Sequence, residues 1–407
     1  MDIDAFGIEA AALLRLLPTG RPRLLALGEP THGEDALLHL RNTLFRQLVE
    51  EAGYRTIAVE SDCLRGLAVD DHVTGATTEP LDDLMGRGFG HGLGASAANR
   101  ELVAWMREFN EGRPSADRLR FAGFDGPLEI HAAESPRRSL TTLHTYLADH
   151  GDADLLPCPA HTLDGLLGAD ARWTEPAAMR DPARSVGRSA DASRLRLLAD
   201  DLLALLDAQA PLLIAAHSRE AWDRARLHAR TAVGLLRYHH AMADPSPHRM
   251  TRLLGVRDSM MADTLLDLAG RGPTLVFAHN AHLQRPRSSL RMTGLPLLHW
   301  WSAGALVAAR LGEEYAFVAT ALGTIGHRGV DAPPPDTLEG MLYALPGDRC
   351  LVDPAALADR ASVPRVSPWF GYAPLDPSHL GDCDALVFVK DLPPRTGQDP
   401  ASTTPGP

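Results

Sequence analysis

The sequence predicts an α/β protein with a mostly parallel sheet core, flanked by helices and carrying a largely helical insertion. Over the first third, short apolar runs alternate with segments of helical spacing, which is typical of a parallel sheet. The middle of the chain has helical spacing almost throughout. With 407 residues and ~150 residues per domain, two or three domains or one large unit with insertions are allowed. The 45% hydrophobic and 23% charged residues are ordinary for a folded chain.

The first third contains three predicted strands and two predicted helices after an amphipathic N-terminal segment. The strands lie at residues 24–27, 56–59 and 119–124, and the helices at residues 34–50 and 97–110. Each strand is a short apolar run, and each helix carries apolar residues at three- and four-residue spacing. Gly53 provides a stop signal for the first helix.

The rest of the chain has a helical middle followed by returning strands. Strands are predicted at residues 274–278, 315–320, 350–352 and 385–389. We therefore assign residues 1–128 and 273–390 to an α/β catalytic core and residues 129–272 to a helical insertion that covers the site. Residues 391–407 are rich in Pro, Thr, Ser and Gly, which predicts a disordered tail.

Charge restricts the partners. Lys+Arg 40 against Asp+Glu 52 gives a formal net charge of −12, so nucleic acid and anionic membranes are poor candidate partners. Lys390 is the only lysine, which argues against mechanisms built on a buried catalytic lysine. No secretory signal pattern and no 18-residue apolar stretch is present, so we expect a cytoplasmic protein. The sequence leaves the oligomeric state open.

The cysteine spacing argues against a thiolate metal site or a redox pair. The four cysteines, Cys63, Cys158, Cys350 and Cys383, are far apart, and no pair has C-x-x-C spacing. We expect free thiols in a reducing compartment.

Reactive side chains collect directly after four of the predicted strands. They are Glu29 and His32 after the first strand, Glu60 after the second, Asp125 after the third, and His279 and His282 after the strand at 274–278. Ligands of open α/β sheets bind at the carboxyl ends of the strands. If these strands are parallel neighbours, the six side chains converge on one edge of the sheet.

His32 has an additional local signal. Thr31 and Glu34 match the Ser/Thr-x-x-Glu capping box, which would place His32 in the first turn of a helix. The positive end of the helix dipole would then keep His32 neutral near pH 7, as a general base requires. Glu60 or Glu29 could accept the other ring N–H and fix the tautomer.

Each of these residues also has a structural interpretation. Glu60 could cap a helix or form a salt bridge, and Asp125 could be a turn residue before Gly126. Arg257 heads an apolar helix stripe, where it could hold a substrate oxygen, pair with Glu60 or Asp125, or extend over the core. The run of Asp258, Asp263 and Asp267 indicates a solvated helix face.

Common enzyme motifs are absent, including the G-x-S-x-G elbow, H-E-x-x-H and the phosphate loop. The glycine-rich segment Gly86 to Gly94 predicts a flexible loop that could cover the site with Arg87 or His91 pointing in. The helical histidines His217, His239 and His240 are expected to be structural or exposed.

Five blocks of this sequence resemble conserved blocks of the erythromycin esterase family, and together they span about residues 20–390. The blocks are LGEPTHGEDALLHLRNTLFRQLVEEAGYRTIAVESD, FAGFDG, RDSMMADTLL, TLVFAHNAH and DALVFVKD. Pro30 departs from the pattern and stiffens the turn that carries Glu29. The helical middle matches less closely, and we expect substrate choice to reside there.

The resemblance implies an α/β core with a helical subdomain and the hydrolysis of a carboxylic ester, typically a macrolide lactone, by activated water. It implies His32 as general base with Glu60 as its carboxylate partner. It also places Glu29, Arg257, His279 and His282 in the same pocket. We expect His282, Asp125 and Asn280 to contact the substrate.

Our main hypothesis is thus a hydrolase without metal or other cofactor, acting on a small-molecule ester or lactone in antibiotic resistance or natural-product metabolism. The same site could catalyse acyl transfer or cyclisation in a biosynthetic pathway. Its His and Glu residues could also bind zinc or manganese in a metal-dependent hydrolase. A non-catalytic small-molecule binding protein is the fourth alternative.

Overall fold

The computed structural model describes residues 5–129, 132–292, 294–357, 360 and 362–393. The tail predicted at residues 391–407 lies outside the described residues from residue 394 onward. Asp391 itself ends the last strand of the sheet.

The strands form one large sheet and two short ribbons. The strands of the described residues are β1 (Ala5–Phe6), β2 (Leu24–Glu29), β3 (Thr56–Asp62), β4 (Arg120–Asp125), β5 (Leu128–Glu129), β6 (Ala132–Ala133), β7 (Thr274–His279), β8 (Ser288–Leu290), β9 (Leu298–Trp300), β10 (Tyr315–Thr324), β11 (Arg349–Val352) and β12 (Ala385–Asp391). The large sheet has the order β1-β11-β12-β10-β2-β7-β3-β4. Its six strands from β12 to β4 are parallel, and β11 and β1 join antiparallel at the edge.

The helices occupy both faces of the large sheet and most of the central part of the chain. They are α1 (Ala10–Leu16), α2 (Asp35–Ala52), α3 (Cys63–Val73), α4 (Leu81–Arg87), α5 (Ala97–Asn110), α6 (Arg137–His150), α7 (Ala160–Leu167), α8 (Ala190–Ala208), α9 (Ala210–Ala216), α10 (Arg219–Met242), α11 (Arg249–Ala269), α12 (Asn280–Leu283), α13 (Ala303–Leu311) and α14 (Leu338–Tyr343). The predicted α/β class with a mostly parallel sheet is therefore confirmed.

Alternation along the buried strands creates a separate core on each face of the sheet. In β2, Leu25 and Leu27 pack into one apolar cluster and Leu24 and Ala26 into the other. Successive side chains of a strand point to opposite faces, so a central parallel strand is apolar throughout. Because the six strands from β12 to β4 are parallel, their carboxyl ends lie at one edge of the sheet.

The helices of the central segment build a core of their own from α6, α7, α8 and α10. Helix α11 differs, because its Met261 and Leu265 pack into the core on the sheet. This helix therefore connects the helical segment to the sheet. The proposed domain boundaries at residues 128 and 272 stay a prediction.

The predicted capping box at Thr31 and Glu34 is wrong. Helix α2 begins at Asp35, and the side chain of Glu34 does not cap it. The Glu34 carboxylate instead pairs with His327, at 3.1 Å. His32 therefore lies in the loop between β2 and α2, outside the first helical turn.

Within the described ranges, no helix combines the length and the apolar character that crossing a bilayer would require.

Candidate active site

Sheet order brings the predicted strand-end residues together. Strands β2, β7, β3 and β4 are consecutive neighbours, and all are parallel. Glu29 at the end of β2 pairs in register with His279 at the end of β7. Gly28 permits the turn after β7 to approach β2 closely, because a Cβ atom at residue 28 would lie 2.0 Å from Oδ1 of Asn280.

His32 and Glu29 form a direct pair at the carboxyl end of β2. Nδ1 of His32 lies 2.8 Å from Oε1 of Glu29, while Nε2 lies 3.9 Å from Oε1 of Glu60. The side chain of His32 is 52% exposed and that of Glu29 only 4%. Glu29, rather than Glu60, is thus the carboxylate that orients the imidazole. Oε2 of Glu29 is buried and has no hydrogen-bond partner among the described residues.

The protonation of this pair differs from the expectation of a neutral His32. Burial lowers the pKa of His32, but the carboxylates of Glu60 and Glu29 outweigh it and raise the pKa to about 9. Burial also raises the pKa of Glu29, and the hydrogen bond with His32 offsets this only in part. The predicted helix dipole does not act, because His32 is not in a helix. Neutral His32 is therefore a minor form at pH 7 in the free protein.

Glu60 is a buried carboxylate at the centre of the site. The pairing of β3 with β4 is irregular between Val59 and Asp62, and a bulge of this kind redirects a side chain. Oε2 of Glu60 accepts the backbone N–H of His279 at 2.9 Å. Although burial raises its pKa, His282, His32 and Arg257 hold the pKa well below the usual range of a glutamate.

Arg257 of α11 bridges two strand-end carboxylates. Its Nε and Nη2 donate to Asp125 at 2.7 to 3.1 Å, and Nη2 also donates to Glu60 at 3.1 Å. Burial disfavours the charge on Asp125, but Arg257 and His91 lower the pKa of this carboxyl group. Arg257 thus pairs with both carboxylates, and Nη1 takes no part in these bonds.

Asp258 is a site residue that the sequence interpretation missed. The side chain of Asp258 is 0% exposed, and its Oδ1 lies in hydrogen-bond contact with Nδ1 of His282 at 2.9 Å. The prediction that Asp258 lies on a solvated helix face is therefore wrong. Nε1 of Trp300 and the backbone N–H of Ala303 donate to the same carboxylate, each at 2.8 Å. The pKa of His282 is raised, because Asp258 and Glu60 outweigh burial.

His279 and Asn280 occupy the turn from β7 into α12. The His279 ring lies 5.2 Å from the His32 ring between centroids, and its Nδ1 accepts the N–H of Ala281. Burial, together with the charge on His32, lowers the pKa of His279 to about 3, so this ring is neutral. The amide of Asn280 bonds to both backbone groups of Thr320 and therefore ties β7 to β10.

The glycine-rich segment contributes His91 but not Arg87. Nε2 of His91 lies 2.8 Å from Oδ2 of Asp125, whereas Arg87 pairs with Glu79 at the surface. Of the other histidines, His239 hydrogen-bonds to the backbone of Glu134 at 2.9 Å and has a structural role.

The site has no evident metal ligand set. In the described ranges, no group of three or more His, Cys, Asp or Glu residues has an arrangement that could hold a metal ion. Nδ1 of His32 and Nδ1 of His282 each face a carboxylate instead.

A separate cavity of about 430 Å³ lies between α10 and α11 and touches Gly126, but none of the site histidines lines it.

Known proteins are similar to this chain in sequence and in fold. Residues 49–390 match the family model described as Erythromycin esterase. The chain is 26% identical to the erythromycin esterase type II of Escherichia coli over 274 residues, which are 65% of this chain and 62% of that protein. The match thus spans less than two thirds of the relative's length.

Three solved structures share the fold at low sequence identity. A Bacillus cereus protein has a TM-score of 0.63 at 18% identity, covering 91% of this chain and 88% of that one. A succinoglycan biosynthesis protein has a TM-score of 0.67 at 16% identity, covering 95% and 93%. A mutant of the erythromycin esterase EreC in its open conformation has a TM-score of 0.61 at 19% identity, covering 93% and 92%. Since the family model covers most of the chain, this protein belongs to the erythromycin esterase family.

Proposed function

We propose that this protein hydrolyses a carboxylic ester or a macrolide-type lactone with water activated by His32. The observation that carries the proposal is the half-exposed imidazole of His32, with Nδ1 held 2.8 Å from the buried carboxylate of Glu29. A general base needs one ring nitrogen oriented and the other open to the reactants. Family membership, and the name of the Escherichia coli relative, support ester hydrolysis as the reaction.

In the first step, Nε2 of His32 takes a proton from water as the water oxygen bonds to the carbonyl carbon. The carbonyl π electrons move to oxygen and give a tetrahedral oxyanion. When this collapses, the ester C–O bond breaks, and the imidazolium returns its proton to the leaving alkoxide. The products are a carboxylic acid and an alcohol, or one hydroxy acid from a lactone. Such acid–base work contributes ~10²–10⁴-fold to the rate.

Glu29 has two roles in this proposal. It fixes the tautomer by accepting the Nδ1 proton, and its negative charge stabilises the imidazolium that forms. Together with the charge on Glu60, the same charge raises the pKa of His32 to about 9. The active base is then the deprotonated fraction of His32, so activity should increase as the pH rises toward that value.

The oxyanion requires a donor close to His32. Arg257 is fixed by Asp125 and Glu60, which leaves Nη1 as its available donor. The neutral ring of His279 already bonds to two backbone groups, because its Nδ1 accepts from Ala281 and the ring also hydrogen-bonds to Pro30, so Arg257 is the more open donor. A preorganised donor at this position is worth about 3–4 kcal/mol of transition-state stabilisation.

A substrate screen in ¹⁸O-labelled water tests the proposal. The panel contains macrolide lactones and simple alkyl and aryl esters, each incubated with the wild type and with His32→Asn. We expect the label in the acid product and a loss of at least ~10²-fold in the variant. Full turnover by His32→Asn would overturn the mechanism.

The remaining alternatives give different outcomes in the same screen. Acyl transfer or cyclisation would give product without the label, and only with an added alcohol or amine or an internal acceptor. A metal-dependent hydrolase would lose activity on chelation and regain it with added zinc or manganese. Tight retention of a ligand without turnover would identify a binding protein. Ester or lactone hydrolysis would suit either antibiotic resistance or natural-product metabolism.

A further inference from the structure

His91 lies at the centre of the glycine-rich segment and contacts two carboxylates at once. Nε2 is 2.8 Å from Oδ2 of Asp125, and Nδ1 is 2.9 Å from Oε2 of Glu129. The backbone N–H of His91 also donates to Oε1 of Glu129 at 3.1 Å. The residue therefore joins the loop between α4 and α5 to the ends of β4 and β5.

These contacts require a cationic ring. Ionised carboxylates only accept hydrogen bonds, so both nitrogens of His91 must carry a proton. The charged groups that face the ring are Asp125 on β4, Glu129 on β5 and Arg257 on α11. Burial lowers the pKa of His91 and Arg257 acts in the same direction, but the two carboxylates outweigh them and raise it. The electrostatic surroundings thus agree with the geometry.

The backbone at His91 is held in an unfavourable conformation. Its φ is 54°, the only positive value at a non-glycine residue in the described part of the chain. The N–H of Gly90 donates to Oγ of Ser61 at 2.8 Å, and Phe89 packs against Phe121 with ring centroids 5.5 Å apart. The loop is therefore fixed directly before His91, and the contacts of His91 with Asp125 and Glu129 fix the residue itself. Strain that the surroundings maintain in this way is concentrated at functional sites.

From His91, a continuous series of ionic contacts leads into the site. Asp125 is 0% exposed and binds both His91 and Arg257. Arg257 contacts Glu60 at 3.1 Å, and Glu60 lies 3.9 Å from Nε2 of His32. Without His91, Arg257 would be the one cation left on Asp125 among the described residues, and its hold on Glu60 would weaken.

We propose that His91 is a positioning residue of the active site, whose imidazolium joins Asp125 to Glu129 and thereby fixes Arg257 against Glu60. The inference rests on the proposed function, because the effect on rate passes through Arg257 and Glu60 to His32. It also assigns the glycine-rich segment as the cover of the Asp125–Arg257 pair. His91 itself touches no reacting atom.

Chemical rescue tests the positioning role. His91→Gly accepts the positive φ and leaves space for free imidazole, so we expect kcat to fall ~10–100-fold with a smaller change in KM. Added imidazole should restore several-fold of this loss. His91→Asn tolerates the same backbone conformation but cannot bridge both carboxylates, so it should be impaired without rescue. Arg87→Gln, in the same segment but paired at the surface, should match the wild type.

A second measurement does not depend on turnover. Because the pKa of His91 is raised on folding, its contribution to stability is full below the unfolded pKa and is lost as the pH rises through the folded pKa. The stability difference between wild type and His91→Asn should therefore be larger at pH 6 than at pH 10.

The two measurements separate this inference from the proposed function. If His32→Asn is as active as the wild type, the mechanism fails, while the stability difference still reports the ionic bridge. Wild-type kcat/KM in His91→Gly, or a loss that imidazole does not restore at all, would overturn the positioning role. A stability difference that is equal at pH 6 and pH 10 would overturn the cationic bridge.

Discussion

Nδ1 of His32 lies 2.8 Å from Oε1 of Glu29, and this contact joins a half-exposed imidazole to a buried carboxylate. Glu29 is also the register partner of His279 on the neighbouring strand. One pair of adjacent strands therefore fixes the carboxylate that orients His32 and the ring that lies next to it. The imidazole depends for its charge on residues from two strands, since Glu60 on β3 also raises its pKa.

Replacing Glu29 with Gln should lower both the rate and the pKa of the base. The neutral amide stabilises the imidazolium less, so the pKa of His32 should fall from about 9 toward its ordinary value of 6.5. The amide can also favour the wrong tautomer, and we expect maximal kcat/KM to drop ~10²–10⁴-fold. The measurement is kcat/KM from pH 5 to pH 10.

Glu51→Gln is the matched control, since Glu51 is exposed on α2 and should leave rate and pH dependence unchanged. A Glu29→Gln enzyme with the wild-type profile would show that Glu29 does not set the state of His32.

Glu60→Gln should reduce stability in a manner that depends on pH. The folded pKa of Glu60 is held below its ordinary value of 4.5 by His282, His32 and Arg257, against burial. Its contribution is therefore present above the unfolded pKa and lost as the pH falls through the folded pKa. We expect a loss of about 3–5 kcal/mol in the free energy of unfolding near pH 7, where a buried ion pair is broken.

Denaturant unfolding at pH 7 and at pH 3 measures this effect. The difference between wild type and Glu60→Gln should be smaller at pH 3. An equal difference at both values would mean that the ionised carboxylate is not the source of the stability.

Asp258→Asn should destabilise the fold, because its carboxylate accepts from His282, Trp300 and Ala303. The amide that replaces the carboxylate has an NH₂ group in place of one acceptor oxygen. This NH₂ donor would then face a group that also donates, and one hydrogen bond would be lost. We expect a loss of about 3–5 kcal/mol by denaturant unfolding, as for other broken buried pairs. Asp263→Asn on the same helix is the control and should change stability by no more than about 0.5 kcal/mol. Similar values for the two variants would contradict the role assigned to Asp258.

Gly28→Ala should disturb the turn that carries the site. The new Cβ would lie 2.0 Å from Oδ1 of Asn280, so the end of β7 must move. Overpacking of this kind costs about 1–3 kcal/mol, and the shift of His279 should lower kcat as well. Gly165→Ala, in α7 with no atom within 4 Å of its Cβ, should be neutral or slightly stabilising. A Gly28→Ala protein as stable and active as Gly165→Ala would count against this close approach.

The strands of the sheet could be located from sequence because buried parallel strands are continuous apolar runs. The predicted strand at 24–27 is contained in β2, and the one at 274–278 in β7. Convergence of their polar ends was predicted only on the condition that the strands are neighbours. The condition holds because β7 inserts between β2 and β3, a long-range pairing that no local pattern contains.

The sequence contains the signal that Asp258 lies on a buried helix face, although the run of three aspartates suggests a solvated face. Asp258 shares a face with Met261 and Leu265, three and seven residues later, and both are 0% exposed. Asp263 and Asp267 lie on other faces of the same helix. The 3.6-residue period of the helix thus places Asp258 toward the core and the other two aspartates away from it.

The protonation of His32 could not be derived from local sequence. The capping pattern of Thr31 and Glu34 was present, but Glu34 pairs with His327, nearly three hundred residues later. The charge on His32 depends on Glu60, which the fold brings from another strand. Tertiary contacts therefore overrode a local signal on both points.

The central claim is that His32, held by Glu29, is the base that activates water. The most direct test is the pH dependence of kcat/KM for the best ester or lactone of the screen, because this quantity reports the essential groups of the free enzyme. The account predicts a rate that rises through neutral pH and levels off near the pKa of His32, about 9. A rate already constant from pH 6 upward, or a profile that persists in His32→Asn, would contradict it.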